Sequence, residues 1–376
     1  MKKLFAILLC LTLLLGSAGC SADVPQETDP IQTTGETAAT DPTKPGTEIF
    51  TEEWKAKMDA VLEQNKYTGI VSLTCNGETI YEWVKGTNEL EEPLTVESPM
   101  FIASNSKQFC AAAILILRDQ EKLSLDDTLT KYFPECTVGK DVTLHHLMSM
   151  QSGLPRDPRS NKDIEEHFGQ TAEENKAAIL EWLTGQTLSF TPGTQFAYSN
   201  LNYNLLSYVV EQVSGQSYTE FVRENVFAPA GMTHSGFIGD VKDNPQWGLT
   251  CDGLDLYGAI EGMAQGCGDI VTTSGDIHLW MTALRSGKVV SMESYREMTT
   301  GHSASYGYGL MRASHGGWGH NGSIPGYTSR TYFNEEYGYQ LFVVNNKTPL
   351  FNSTITEKTG DDLLRTLFEA VDAAQN

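Results

Sequence analysis

The stretch Phe-Ile-Ala-Ser104-Asn-Ser-Lys107-Gln-Phe contains two residues whose types and spacing suit acyl transfer. Three apart on a helix, Ser104 and Lys107 share one face about a turn apart. A serine at a helix N-terminus gains from the dipole as it becomes an alkoxide. A lysine partly buried against an apolar helix gives up its charge more readily and can serve as base. The spelling alone is weak, because a capping serine and a snorkelling lysine produce the same pattern. Its setting is what singles it out. The pair opens the most apolar helical stretch of the mature chain, running to about Leu117, and an idle charged lysine is costly there.

The elements around this pair follow from periodicity. A helix is predicted over 50–66, with Thr51 as its cap, Glu52 and Glu53 at its positive end, and Trp54, Met58, Val61 and Leu62 on one face. Strands Gly69–Thr74 and Glu78–Val84 flank Asn76-Gly77, a strong hairpin signal. Helical patterns fill the middle at 143–151, 172–184, 199–214, 217–226 and 273–285. Strand-like patterns return at Tyr306–Arg312, Tyr327–Phe333 and Tyr339–Val344. A last helix is predicted to open at Asp361 and to carry Leu363, Leu364, Leu367, Phe368 and Val371. The expected class is α/β plus all-α: an antiparallel sheet built from both termini with flanking helices, and an inserted helical lobe. Residues 48–117 and 290–376 would form the α/β part and 118–289 the helical part, with the site where sheet meets helices.

Three segments, taken in order, resemble the motifs of the serine β-lactamase and D-Ala-D-Ala carboxypeptidase superfamily, nearest its class C branch. They are Ser104-x-x-Lys107, Thr-Pro-Gly-Thr-Gln-Phe-Ala-Tyr198-Ser-Asn200 and Gly-His320-Asn-Gly322-Ser-Ile-Pro-Gly. Leu144–Pro155, Pro229–Thr233 and Gly268–Asp276 resemble secondary signatures in the family's order. The resemblance implies that Ser104 forms an acyl-enzyme, with Lys107 and Tyr198 sharing the proton work. It implies that Asn200 binds the substrate's acylamide, and that the N–H groups of Ser104 and Ser323 form an oxyanion hole. His320, with Asn321 and Gly322, would meet the substrate's carboxylate or leaving group. His320 stands where class C β-lactamases carry Lys and Asn321 where Thr is usual, which moves the expectation toward peptidase-like members. Tyr332-x-Asn334, His234-x-Gly236 and His315-x-Gly317 repeat motif spellings out of context and are read as structural.

The ends and the composition supply the address. Lys2 and Lys3, an apolar run to Leu15 and small residues before Cys20 read as a signal peptide over 1–19, too short to remain as a span. The ending Ser-Ala-Gly-Cys20 resembles a bacterial lipobox, with Cys20 lipidated and the protein held on the outer face of the cytoplasmic membrane. Residues 20–47, rich in Thr, Pro, Asp and Glu, read as a disordered tether spanning roughly 30 Å. Residues 48–376 form the hydrolase domain. The formal charge of −22 and the lack of a basic patch argue against nucleic acid as a partner. The scattered cysteines suit neither a disulfide framework nor a zinc site, with Cys251 and Cys267 the one pairing left open. No metal or cofactor is implied, and a monomer is expected. The expected function is a surface serine hydrolase on D-amino-acid or cell-wall peptides. The alternatives are a class C-like β-lactamase, a small-ester hydrolase, a non-catalytic wall or β-lactam sensor, and a surface adhesin.

Overall fold

The computed structural model describes residues 46–155, 171–249, 263–324, 326–348 and 354–375. The leader, the tether, Cys20 and Cys251 lie outside these residues, and so does the question of a Cys251–Cys267 pairing.

The longer helices are α1 (Glu52–Gln64), α2 (Lys107–Asp119), α3 (Leu144–Met148), α4 (Ala172–Thr184), α5 (Asn200–Ser214), α6 (Tyr218–Val222), α7 (Ser274–Arg285), α8 (Met292–Met298) and α9 (Thr354–Gln375). The strands are β1 (Gly69–Cys75), β2 (Glu78–Lys85), β3 (Met100–Phe101), β4 (Gly236–Phe237), β5 (Ile270–Thr272), β6 (Met311–Arg312), β7 (Trp318–Ile324), β8 (Gly326–Phe333) and β9 (Tyr339–Thr348). Six form an antiparallel sheet in the order β2-β1-β9-β8-β7-β6. Strands from opposite ends of the chain meet at its centre, where Ile70 pairs with Val344 and Leu73 with Leu341.

Alternation of side chains splits the strands between two cores. Val71, Leu73, Leu341 and Val343 face α1 and α9, against Trp54, Met58, Leu62, Leu363, Leu367 and Val371. Ile70, Phe342, Val344 and Phe333 face the other way, into the helical core around α2. Eleven of the thirteen α2 residues are buried, as expected of a helix apolar nearly all round. Local chemistry sets the ends of the elements. The Thr51 hydroxyl accepts from the Trp54 N–H at 3.3 Å, and Asn76 and Gly77 both take positive φ in the hairpin turn.

The structure departs from the sequence pattern in three places. Tyr306–Arg312 alternates like a strand, yet only Met311–Arg312 joins the sheet, and Tyr306 makes isolated bridges to Ser303 and Met311. Gly309, at φ +68°, lies so close to the Lys107 carbonyl that a Cβ would fall 2.5 Å from its oxygen, and the chain bends there. The last helix begins at Thr354, seven residues before Asp361, and runs through Gly360. A Cβ on Gly360 would sit 2.6 Å from Cδ of Arg330, whose guanidinium reaches the Glu357 carbonyl and Asp361. The segment expected to be purely helical also contributes β4 and β5, which join β3 in a second sheet ordered β3-β5-β4.

Candidate active site

Ser104 lies on a 3-10 turn, Ala103–Ser106, that feeds α2 rather than in the α-helix itself. Just before it, Ile102 is held by its N–H on the Ile270 carbonyl (3.1 Å) and by its own carbonyl, which accepts from Ser329 Oγ (2.6 Å). Ala103 takes φ +48°, a left-handed conformation costing about 1–2 kcal/mol for an alanine. A buried polar network fixes the rest of the turn and the start of α2. Asn105 Nδ2 donates to Ser329 Oγ (2.8 Å), and Thr331 Oγ1 donates to Asn105 Oδ1 (2.6 Å). Gln108 Nε2 donates to Asn105 Oδ1 and Thr331 Oγ1, both at 3.0 Å, while Trp280 Nε1 donates to Gln108 Oε1 (3.1 Å). The nucleophile's turn is thereby tied to β8 and α7. Sequence reasoning missed this network, although two amides flanking Lys107 on an apolar helix were its signal.

Lys107 is fully buried, one helical turn from Ser104. Its Nζ stands 3.1 Å from Ser104 Oγ, 2.8 Å from Asn200 Oδ1 and 2.7 Å from the Cys267 carbonyl. The amide oxygen and the carbonyl can only accept. A neutral amine therefore spends both N–H bonds on them and turns its lone pair toward the Ser104 hydroxyl. A charged one points its third N–H there instead. Asn200, the first residue of α5, keeps its Nδ2 for another acceptor.

Tyr198 lies in the loop before α5, anchored by the Ala197 N–H on the Met150 carbonyl (2.9 Å). Its ring is 36 % exposed, with Lys107 Nζ 5.0 Å from the centroid. The other motif-like residues lie elsewhere. Tyr332 is fully buried in the layer under α1 and α9, His315 stacks on Phe368 with centroids 4.1 Å apart, and His234 sits 3.7 Å from Asp276.

The third motif is strand β7, pressed against the nucleophile's turn. A Cβ on Gly322 would fall 2.2 Å from the Ile102 carbonyl oxygen, so only glycine allows this approach. Ser323 comes next, paired in register with Thr328. His320 is 4 % exposed and committed on both sides: Nδ1 lies 2.5 Å from the Asn321 carbonyl and Nε2 3.2 Å from the Tyr306 hydroxyl. The carbonyl can only accept, so Nδ1 carries the proton and Nε2 accepts from Tyr306. Burial first, then the nearby Lys107 charge, pushes this imidazole down to about 3, against the hydrogen bond to Asn321. His320 is therefore neutral at physiological pH and carries no positive charge toward the site. Among the described residues, no cluster of three His, Cys, Asp or Glu side chains could hold a metal ion.

The beta-lactamase family model matches residues 54–363. Penicillin-binding protein PbpX of Bacillus subtilis is 28 % identical over 302 residues, spanning 77 % of this chain and 73 % of its own. Penicillin-binding protein 4* of the same organism is 26 % identical over 323 residues, spanning 76 % and 69 %. In fold, the chain is similar to the octameric penicillin-binding protein homologue of Pyrococcus abyssi (TM-score 0.68, 25 % identity, 83 % and 77 % covered). It is also similar to D-amino acid amidase of Ochrobactrum anthropi (TM-score 0.69, 24 % identity, 86 % and 100 % covered). The chain belongs to the beta-lactamase family, as a serine hydrolase on the fold shared with penicillin-binding proteins.

Proposed function

We propose that this protein is a cell-surface amidase or peptidase acting on D-amino-acid or cell-wall peptides through an acyl-enzyme at Ser104. The observation that carries the reading is Lys107: wholly buried, with two fixed acceptors that leave its lone pair free to face the Ser104 hydroxyl. As Ser104 Oγ attacks the substrate carbonyl, its proton passes to the Lys107 amine. The oxyanion forms against the N–H groups of Ser104 and Ser323, the placement that matters most in acyl transfer. Collapse of the tetrahedral intermediate breaks the C–N bond, and the proton reaches the leaving amine by way of Lys107 and Tyr198. Water then attacks the ester with the same groups as base and releases the acid. Asn200 Nδ2, unused by Lys107, holds the acyl side of the substrate.

The neutral His320 bears on the choice of substrate. It offers no positive charge for a terminal carboxylate, which supports amides and esters over substrates gripped by such a group. Surface attachment rests on the signal-like leader and on Cys20 as the lipidated residue. The test is a panel of a D-amino-acid amide, a D-Ala-D-Ala peptide, a chromogenic cephalosporin and a short-chain ester, with fluorophosphonate labelling alongside. Ser104→Ala should lose labelling and turnover while the domain stays folded. Labelling that survives in that variant refutes the assignment, and stoichiometric labelling without turnover of any substrate favours the sensor.

A further inference from the structure

One buried residue holds the backbone on both sides of Tyr198. Tyr198 stands in a stretch that is neither helix nor strand, and its ring is partly exposed, so neither a ladder nor packing alone fixes it. The N–H before it, of Ala197, donates to the Met150 carbonyl at 2.9 Å. The N–H after it, of Ser199, donates to Met150 Sδ at 3.4 Å. The same sulfur accepts at 3.6 Å from Nδ2 of Asn202, on the first turn of α5, and Asn202 Oδ1 accepts from Ser152 Oγ at 2.8 Å. Met150 is fully buried and takes φ +60° two residues past the end of α3. Glycine usually fills that position after a helix, because a side chain there is strained. What methionine adds in exchange is a sulfur acceptor.

We propose that Met150 is a positioning residue for the reaction at Ser104, its carbonyl and thioether clamping the peptide groups that flank Tyr198 and so aiming that phenol at the site. The proposal rests on Tyr198 as a proton-transfer group. A thioether is a weak acceptor. Here it serves a buried N–H, and a buried donor left without an acceptor costs more than the bond itself contributes. Once released, the Ser199 peptide can turn. The turn would move the phenol relative to Lys107, whose Nζ lies 5.0 Å from the Tyr198 ring centroid. Proton transfer tolerates little of this, since a misplacement of about 1 Å can cost about a hundredfold in rate.

Met150→Leu keeps the carbonyl and the apolar volume and deletes only the sulfur acceptor. In the first arm, fluorophosphonate labelling of Ser104 is timed in wild type, Met150→Leu, Tyr198→Phe and the double variant. Met150→Leu should label about tenfold more slowly than wild type. The double variant should label within about twofold of Tyr198→Phe, because there is no longer a phenol to aim. A merely structural role would slow both backgrounds by the same factor. In the second arm, amide hydrogen exchange is followed by NMR in wild type and Met150→Leu. The Ser199 amide should exchange about tenfold faster in the variant, while Ala197, whose acceptor is retained, and the rest of the domain stay protected. A native labelling rate in Met150→Leu, equal losses in the two backgrounds, or unchanged exchange at Ser199 overturns the proposal. If these occur beside a slow Tyr198→Phe, the role of Tyr198 stands and only the clamp is lost. A native rate in Tyr198→Phe instead removes Tyr198 from proton transfer and overturns the proposal together with that reading.

Discussion

Lowering the pH from 7 to 4.5 should destabilise this domain, chiefly through three buried groups. Burial pushes His320 down to about 3 and His278 down to about 4, from the ordinary 6.5. Both stay neutral when folded and take up a proton only on unfolding. Each therefore favours the unfolded chain by about 1.4 kcal/mol for every pH unit below 6.5. At pH 4.5 the two together cost about 5 kcal/mol. Asp269 works in the opposite direction. Its folded value, about 7, lies above the ordinary 3.8, so the folded chain takes up that proton first and gains about 3 kcal/mol over the same interval. The difference is a loss of about 2 kcal/mol, to which the half-buried His145 and His146, also lowered by burial, add in the same direction. Asp119, Asp127 and Asp362 are held below 3.8 and lose their contribution at still lower pH, outside this window. Urea unfolding at pH 7 and 4.5 measures the balance. Asp269→Asn should raise the loss to about 5 kcal/mol, and His278→Gln should nearly cancel it in the otherwise native chain. Parallel stability curves for wild type and Asp269→Asn would refute the reasoning.

Tyr198→Phe should slow acylation by about two to four orders of magnitude, while Tyr332→Phe, in the layer under α1 and α9, should leave the rate within a few-fold; stopped-flow labelling separates them. Gly322→Ala should cut labelling by at least about tenfold, because the new methyl displaces the Ile102 carbonyl that sets the nucleophile's turn; near-native labelling would show that β7 yields. Cys20→Ser should release the protein from membranes with unchanged activity per molecule, read by detergent partitioning.

The site was more legible than its support. Ser104, Lys107, Tyr198 and Asn200 are brought together from segments whose spellings are local, and α1, the first hairpin and α5 follow from caps, an Asn-Gly turn and apolar periodicity. What escaped depends on contacts between distant segments. The alternation of Tyr306–Arg312 has the period of a strand, and nothing local reveals that Gly309 must clear the Lys107 carbonyl. Gly360 looks like a helix stop until Arg330 is seen to cross it. Strands β3, β4 and β5 are two or three residues long, too short for any period to show. The state of His320 was hidden for the same reason. An isolated histidine titrates near 6.5, and only burial, with Lys107 nearby, keeps this one neutral.

The pairing of β1 with β9 has a consequence for how the chain is made. Ile70 emerges from the ribosome early and Val344 near the end, so the centre of the sheet cannot close until almost the whole chain exists. Until then the β1 edge that β9 covers stays unpaired, along a strand whose side chains are all destined for burial, the kind of surface that aggregates. Such distant pairing also makes folding slow, because a long loop must close before any contact repays its entropy. The same topology makes the C-terminal segment indispensable. A chain cut before β9 would lose the strand that joins the two halves of its sheet, and with it the footing of the turn that carries Ser104.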